Sequence, residues 1–160
     1  MEGLNNEVVI ASNPLARQEA LVAEFEFLDD WRERFKEIIN FGNRLAELPS
    51  EFKQDLNLVR GCQNRVWIGS RFIEDKVFYY ADSESQIVKG LIAMLVYAFS
   101  GFTPNEILNT PPHFIAQLGL DKSLLSNRLN GLQAALVRIR QLALGYQLVI
   151  EAGVGKKHLV

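Results

Sequence analysis

The stretch RGCQNRVWIGSRFIEDKVFYYA, residues 60–81, holds the switch on which the fold turns. Val66 to Ile73 and Val77 to Ala81 are short runs dense in β-branched and aromatic residues, joined by the polar Glu74-Asp75-Lys76. Two such runs around a polar turn read as an antiparallel hairpin. A third, short strand is expected around Leu58-Val59, which sets Cys62 at the tip of a connection between strands. Gly61 supplies the positive φ that a tight turn demands, and Gln63-Asn64 is turn composition.

Outward from this hairpin the periodicity becomes helical. On the N-terminal side, Asn13 before Pro14 reads as a cap and a first helical residue, and Leu21, Val22, Phe25 and Leu28 then share a face. Asp29-Asp30 breaks the pattern. It resumes from Trp31 as Phe35, Ile38, Ile39, Gly42 and Leu45 and stops near Pro49. On the C-terminal side, Ser83 and Gln86 are spaced as a capping box for a helix carrying Ile87, Leu91, Leu95 and Ala98 as far as Gly101. Thr103-Pro104-Asn105-Glu106 starts another helix, a brief one closes at Gly119, and a long one is expected from Ser126 to Gly145. The order predicts an α+β domain in which a small antiparallel three-stranded sheet packs against helices. One domain is expected over residues 1–160, with its core at about 14–145 and flexible ends at 1–12 and 151–160.

Composition narrows the function classes. A net charge of −2 and a pI near 5.7 argue against nucleic acid as the main partner, which needs a sustained basic face. The longest apolar run, Leu91 to Phe99, falls far short of the roughly 20 residues that span a bilayer, so no membrane association is expected. No basic stretch with an apolar core opens the sequence, and its one cysteine cannot close an internal disulfide. A reducing, cytoplasmic setting is therefore expected.

That cysteine, Cys62, is where chemistry is sought. A structural cysteine is a small hydrophobe among aliphatics, whereas Cys62 lies between Gly61 and Gln63. Residues 57–71 contain Arg60, Arg65 and Arg71 and no acid, while residues 1–56 hold twelve acids against six bases. Nearby cations lower a thiol pKa from its usual value of about 8.5, so an accessible thiol shifted toward thiolate is expected. Competing chemistries lack parts. A Cys-His hydrolase would need His113 or His158, neither with a marked orienting partner. One cysteine and two distant histidines cannot supply the four ligands of a structural zinc site, so no metal is expected. The run GVGKK at 153–157 departs from the phosphate-loop pattern, and no lysine is marked as an attachment point for pyridoxal phosphate.

Four blocks, GCQNRVWI at 61–68, DSESQIVKGLI at 82–92, TP at 103–104 and LSNRLNGL at 125–132, resemble in order and spacing the SufE family of sulfur acceptors. The resemblance runs over roughly residues 15–142. Family members read GCQS, one residue, then VW, and here Asn64 replaces the serine. The resemblance implies a SufE/IscU-like fold and a protein that takes persulfide sulfur from a PLP-dependent, SufS-like cysteine desulfurase onto Cys62. It also implies stimulation of that desulfurase and delivery of sulfur to a SufBCD-like iron–sulfur scaffold. A paralogous relay to cofactor or tRNA thiolation, or a non-transferring desulfurase-binding regulator, are the alternatives. By residue, Cys62 is the acceptor, with Arg128, Gly61 and Gln63 supporting its thiolate or persulfide. Arg60, Arg65, Asp82 and Glu84, with Lys89 in the same block as the last two, are assigned to the partner surface. No cofactor is expected to be bound permanently, since the pyridoxal phosphate belongs to the desulfurase. The protein is expected to act as a transfer partner and not as a stand-alone enzyme.

Overall fold

The computed structural model describes residues 13–153; the end segments 1–12 and 154–160 lie outside the described residues. Helix α1 spans Pro14–Ala23 and α2 spans Trp31–Gly42. Two 3-10 turns, Ser50–Phe52 and Asp55–Asn57, lead into strands β1, Val66–Ile73, and β2, Lys76–Ser83. Helix α3, Gln86–Phe99, follows, then α4, Pro104–Asn109, α5, His113–Gln117, α6, Leu120–Ser123, and α7, Ser126–Glu151.

Local chemistry explains most boundaries. The Asn13 side chain accepts from the Ala16 N–H at 2.8 Å, and Asp30 accepts from Arg32 N–H at 2.9 Å, each capping the helix after it. Thr103 and Glu106 form a reciprocal capping box at the start of α4, where the sequence placed a helix start. The cap of α3, in contrast, is Ser85 and not Ser83: Ser85 Oγ accepts from the Val88 N–H, whereas Ser83 lies two residues earlier, where its Oγ accepts from the Ser85 N–H at 3.2 Å and donates to the Arg65 carbonyl at 3.0 Å. Helix α7 continues through Gly145 to Glu151, since nothing at Gly145 forces a left-handed turn.

The sheet has two strands where three were expected. β1 and β2 pair antiparallel in the register Val66 to Ser83 and Ile73 to Lys76, around a two-residue turn in which Glu74 and Asp75 both have positive φ. Leu58 makes only an isolated bridge to Trp67. The 3-10 turn at Asp55–Asn57 ends just before it and Gly61 turns the chain away just after it, leaving no length for a ladder. A second single bridge joins Val77 to Phe102 on the far edge of β2.

One face of this hairpin, Ile68, Phe72, Val77, Tyr79 and Ala81, enters the core and packs against α3 and α7. The other face is covered by the 3-10 segment. The Phe52 ring stacks on Tyr80 with centroids 5.4 Å apart, Arg71 pairs with Glu51, and Lys53 lies over the Trp67 ring at 5.0 Å.

Helix α3 is the centre of the molecule. From Gly90 through Phe99 every residue is buried, so the helix is apolar all round where a single stripe was expected. Its N-terminal half crosses α2 at backbone contact distance: a Cβ built on Gly90 would lie 2.1 Å from the Ile38 carbonyl oxygen, and one on Gly42 would lie 3.0 Å from Gly90 N. Its C-terminal end is closed by a buried cation. The Arg17 guanidinium donates to the Tyr97 and Ser100 carbonyls, both at 2.8 Å, and lies over the Phe102 ring at 4.2 Å. A positive charge at a helix C-terminus opposes the negative end of the dipole and satisfies carbonyls left without intrahelical donors.

The crossing gives a sharp test. Gly90→Ala must push α3 off α2 and should lower stability by about 3 kcal/mol. Gly145→Ala, where an added Cβ meets nothing within 4 Å, should raise it by up to about 1 kcal/mol through helix propensity. Urea unfolding of both variants checks the contrast, and equal midpoints would mean that the crossing carries no such constraint.

Candidate functional site

The loop that carries Cys62 is pinned at both stems. The Val59 N–H donates to the Val66 carbonyl at 2.8 Å, and the Arg65 carbonyl accepts from Glu84 N–H at 3.1 Å as well as from the Ser83 hydroxyl. Between these anchors Gly61 holds φ at +91°, a value that side chains with a Cβ rarely adopt. The chain can therefore fold back sharply enough to turn Cys62 inward.

Beneath the loop lies the start of α7. The half-buried Cys62 thiol points at the Gly131 carbonyl, with Sγ to O at 3.8 Å, and Asn127 Nδ2 donates to Gln63 Oε1 at 2.8 Å. A cavity of about 100 Å³ opens between Cys62, Gln63, Ser85, Val88, Arg128 and Gly131. It is bordered by the first turns of α3 and α7, through Ser85 and Val88 on one side and Asn127 and Arg128 on the other. On the loop's other side a cavity of about 510 Å³ is bounded by Leu58, Val59, Arg60, Cys62 and Arg65.

The structure thus brings Cys62, Gln63 and Arg128 around one cavity, with Gly61 as the turn that permits it. Arg60 is exposed on the larger cavity. Arg65 and Glu84 pair with each other at 3.2 Å, and Asp82 lies between Lys53 at 3.5 Å and Lys89 at 3.3 Å. Among the described residues, Arg60 and Arg128 have no ion pair. His113 opens α5 and lines neither cavity.

The expected activation of the thiol is reversed in this state. Burial pushes the Cys62 thiol above its ordinary pKa, because the neutral form loses less than the anion on leaving water. The basic run does not compensate: Glu84 holds Arg65, Glu51 holds Arg71, and Arg71 lies over the rings of Phe52 and Tyr80. A local excess of arginine in sequence is not a local excess of free charge.

On α7, two residues of this site were not singled out from sequence, Asn127 and Gly131. Both lie in the LSNRLNGL block with Arg128, and their spacing of four puts them on one helical face, which is the signal that marks them. Among the described residues no group of three or more His, Cys, Asp and Glu is placed to hold a metal ion, and no helix is long and apolar enough to cross a membrane.

The family model of the SufE Fe-S metabolism associated domain matches residues 19–143. The chain is 34% identical over 135 residues to an uncharacterized SufE-like protein of Synechocystis, spanning 84% of this chain and 85% of that one. It is 36% identical over 118 residues to the sulfur acceptor protein CsdE of Escherichia coli, spanning 72% and 80%. In fold it is similar to the solution structure of a hypothetical protein from Thermus thermophilus, with a TM-score of 0.66 at 23% identity over 79% of this chain and 93% of that one.

A raised thiol pKa has a direct readout. The rate of Cys62 alkylation by iodoacetamide should rise with pH and reach its midpoint above the usual thiol value of about 8.5. A midpoint below that value would mean that cations, and not burial, set the resting state. The linkage has the same sign. The folded pKa lies above the unfolded one, so the thiol's contribution to stability is complete below the unfolded value and is lost as pH rises through the folded one.

Proposed function

We propose that this chain, which belongs to the SufE family, is a sulfur carrier that accepts a sulfane sulfur on Cys62 from the persulfide of a PLP-dependent cysteine desulfurase. The observation that carries this reading is the single thiol of the sequence, held at a loop tip over a cavity bounded by Arg128 and two helix N-termini. The similarity to a protein named a sulfur acceptor points the same way.

The chemistry asks for little else. The Cys62 thiolate attacks the outer sulfur of the donor persulfide, a new S–S bond forms at Cys62, the donor's S–S bond breaks, and the donor cysteine leaves as thiolate. There is no net oxidation, so neither a redox cofactor nor a metal is required of the carrier. A second thiol close by would discharge the product as sulfide and close a disulfide. One cysteine in 160 residues suits a carrier for that reason.

The two faces of the loop then take separate tasks. Turned inward, the thiol is shielded beside Gly131 and its burial keeps it protonated. Turned outward, it leaves the low-dielectric cavity, recovers an ordinary pKa and reaches a donor. After transfer the persulfide returns to the cavity, where the neighbouring Arg128 would offset part of the cost of burying its negative charge. Gln63 shapes the mouth of that cavity, and the exposed, unpaired Arg60 is the cation at the loop best placed to meet an acidic partner surface. Arg65 and Glu84 reach a partner as a mutually neutralised pair, as does Asp82 with its two lysines.

Withdrawal of the donor's sulfur onto Cys62 stimulates the desulfurase by clearing its active cysteine. The next recipient is an iron–sulfur scaffold of the SufBCD type in a reducing, cytoplasmic setting, with relay to cofactor or tRNA thiolation as the alternative destination.

Incubation with a desulfurase and cysteine should add about 32 Da, one sulfur atom, to the Cys62 peptide. Cys62→Ser should fold normally, gain nothing and fail to stimulate sulfide release. Arg128→Ala should retain the acceptor but transfer more slowly, by roughly two- to tenfold, for loss of one partly exposed charge. Undiminished stimulation by Cys62→Ser would replace the carrier with a binding regulator.

A further inference from the structure

We infer that Asn127 is a positioning residue that latches the Cys62 loop in its shielded state, through the hydrogen bond from its side-chain amide to Gln63. The inference rests on the reading of Cys62 as the sulfur acceptor and concerns what sets the balance between the loop's two positions.

The argument begins with what is free to move. The stems of the loop are fixed by backbone hydrogen bonds at Val59 and Arg65, which leaves the five residues from Arg60 to Asn64 as the segment able to swing. Gly61 gives that segment a hinge, and lacking a Cβ it adds almost no packing of its own: a Cβ built there would only touch Ala134 at 3.8 Å. Two side chains tie the tip to α7, and they are unequal. The Cys62 contact to the Gly131 carbonyl is a long sulfur contact at 3.8 Å, and the Asn127 to Gln63 bond is a full-strength amide hydrogen bond at 2.8 Å. The polar hold on the tip is therefore concentrated at Asn127.

Asn127 is itself held in the orientation the latch needs. Its Oδ1 accepts from the Arg128 N–H at 3.0 Å, so Nδ2 faces outward to Gln63 and the two ends of the amide cannot exchange roles without losing the Arg128 bond. Asn127 and Gln63 are both exposed. Water competes for their bond, so it is worth little net, and a weak bond suits a latch that must open once per transfer. Asn127 stands one residue from Arg128 and four from Gly131. A single helical turn thus carries the latch, the cation of the cavity and the carbonyl that receives the thiol.

The test is the alkylation rate of Cys62 in the full chain, which needs no desulfurase. Asn127→Ala should accelerate iodoacetamide labelling at pH 7.5 by about two- to tenfold, the range for one exposed amide hydrogen bond, with the melting temperature unchanged. Its apparent thiol midpoint should fall toward the ordinary value, because the freed thiol spends more time in water. The charged groups around the loop, Arg60, Arg65, Arg128, Asp55 and Glu84, are the same in both proteins. Gln63→Ala should accelerate to a similar extent, and the double variant should go no further, since both changes break one bond. Asn127→Asp separates the latch from charge: a carboxylate still accepts from the Gln63 amide turned over, so its rate should stay at or below that of the parent. An unchanged rate in Asn127→Ala, or effects that simply multiply in the double variant, overturns the latch. A Cys62 that gains no sulfur from any desulfurase, yet responds to Asn127 in this way, removes the proposed function and leaves the latch standing.

Discussion

Helix α3 is buried on almost every face from Gly90 to Phe99, and the remaining elements are arranged as the walls that this burial requires. A helix apolar all round has no stable surface to show to water, so it must be surrounded. The hairpin and α7 close one side of it and α1 and α2 the other. The approach of α2 is close because Gly42 meets Gly90 without side chains between the backbones. Arg17, buried and aimed at the last carbonyls, closes the C-terminal end. What is left open is the N-terminal end, where Ser85 and Val88 border the Cys62 cavity. The site is thus where the enclosure of the central helix stops, next to the positive pole of the same helix.

The outer face of the hairpin shows how tertiary contacts rewrite a charge pattern. Seen along the chain, residues 57–71 are purely basic, and a cysteine among them looks activated. In three dimensions, acids from both sides in sequence, Glu51 and Glu84, return to neutralise Arg71 and Arg65. Phe52 stacks on Tyr80, and with Arg71 over both rings the cation serves to cover the sheet. What acts on the sulfur is burial, in a cavity whose lining from Arg128, Ser85 and Val88 belongs to segments more than twenty residues away in the chain.

Shielding and reactivity are opposed demands on a carrier's thiol. A permanently exposed thiolate would attack a donor readily and lose its cargo as readily to any other nucleophile. A permanently buried one would do neither. In the proposed carrier role a five-residue loop with pinned stems, one glycine hinge and one exposed amide hydrogen bond at its tip would meet both demands by taking two positions, of which the structure shows the one where burial raises the thiol pKa.

Much of this molecule was legible in the linear chain, because helix caps, turn residues and alternation are local. Asn13 and Thr103 start helices where they were read, Asp30 caps the helix that follows what was read only as a break, and the hairpin forms between the runs that predicted it. The GCQ motif marked Cys62 as the candidate for the same reason: a thiol between a glycine and an amide is a local signature. The third strand failed because its length depends on what precedes and follows it. A 3-10 turn and a left-handed glycine cut Leu58-Val59 down to one bridge. The Ser83 cap failed because β2 runs on through Ser83, whose hydroxyl donates back to the Arg65 carbonyl and accepts from the Ser85 N–H, so the first helical turn starts two residues later. The thiol's pKa and the identity of its latch belong wholly to the tertiary structure. Burial against α7 and a hydrogen bond from Asn127 act through space across more than sixty residues of chain, and no local pattern encodes which helix will lie beneath the loop.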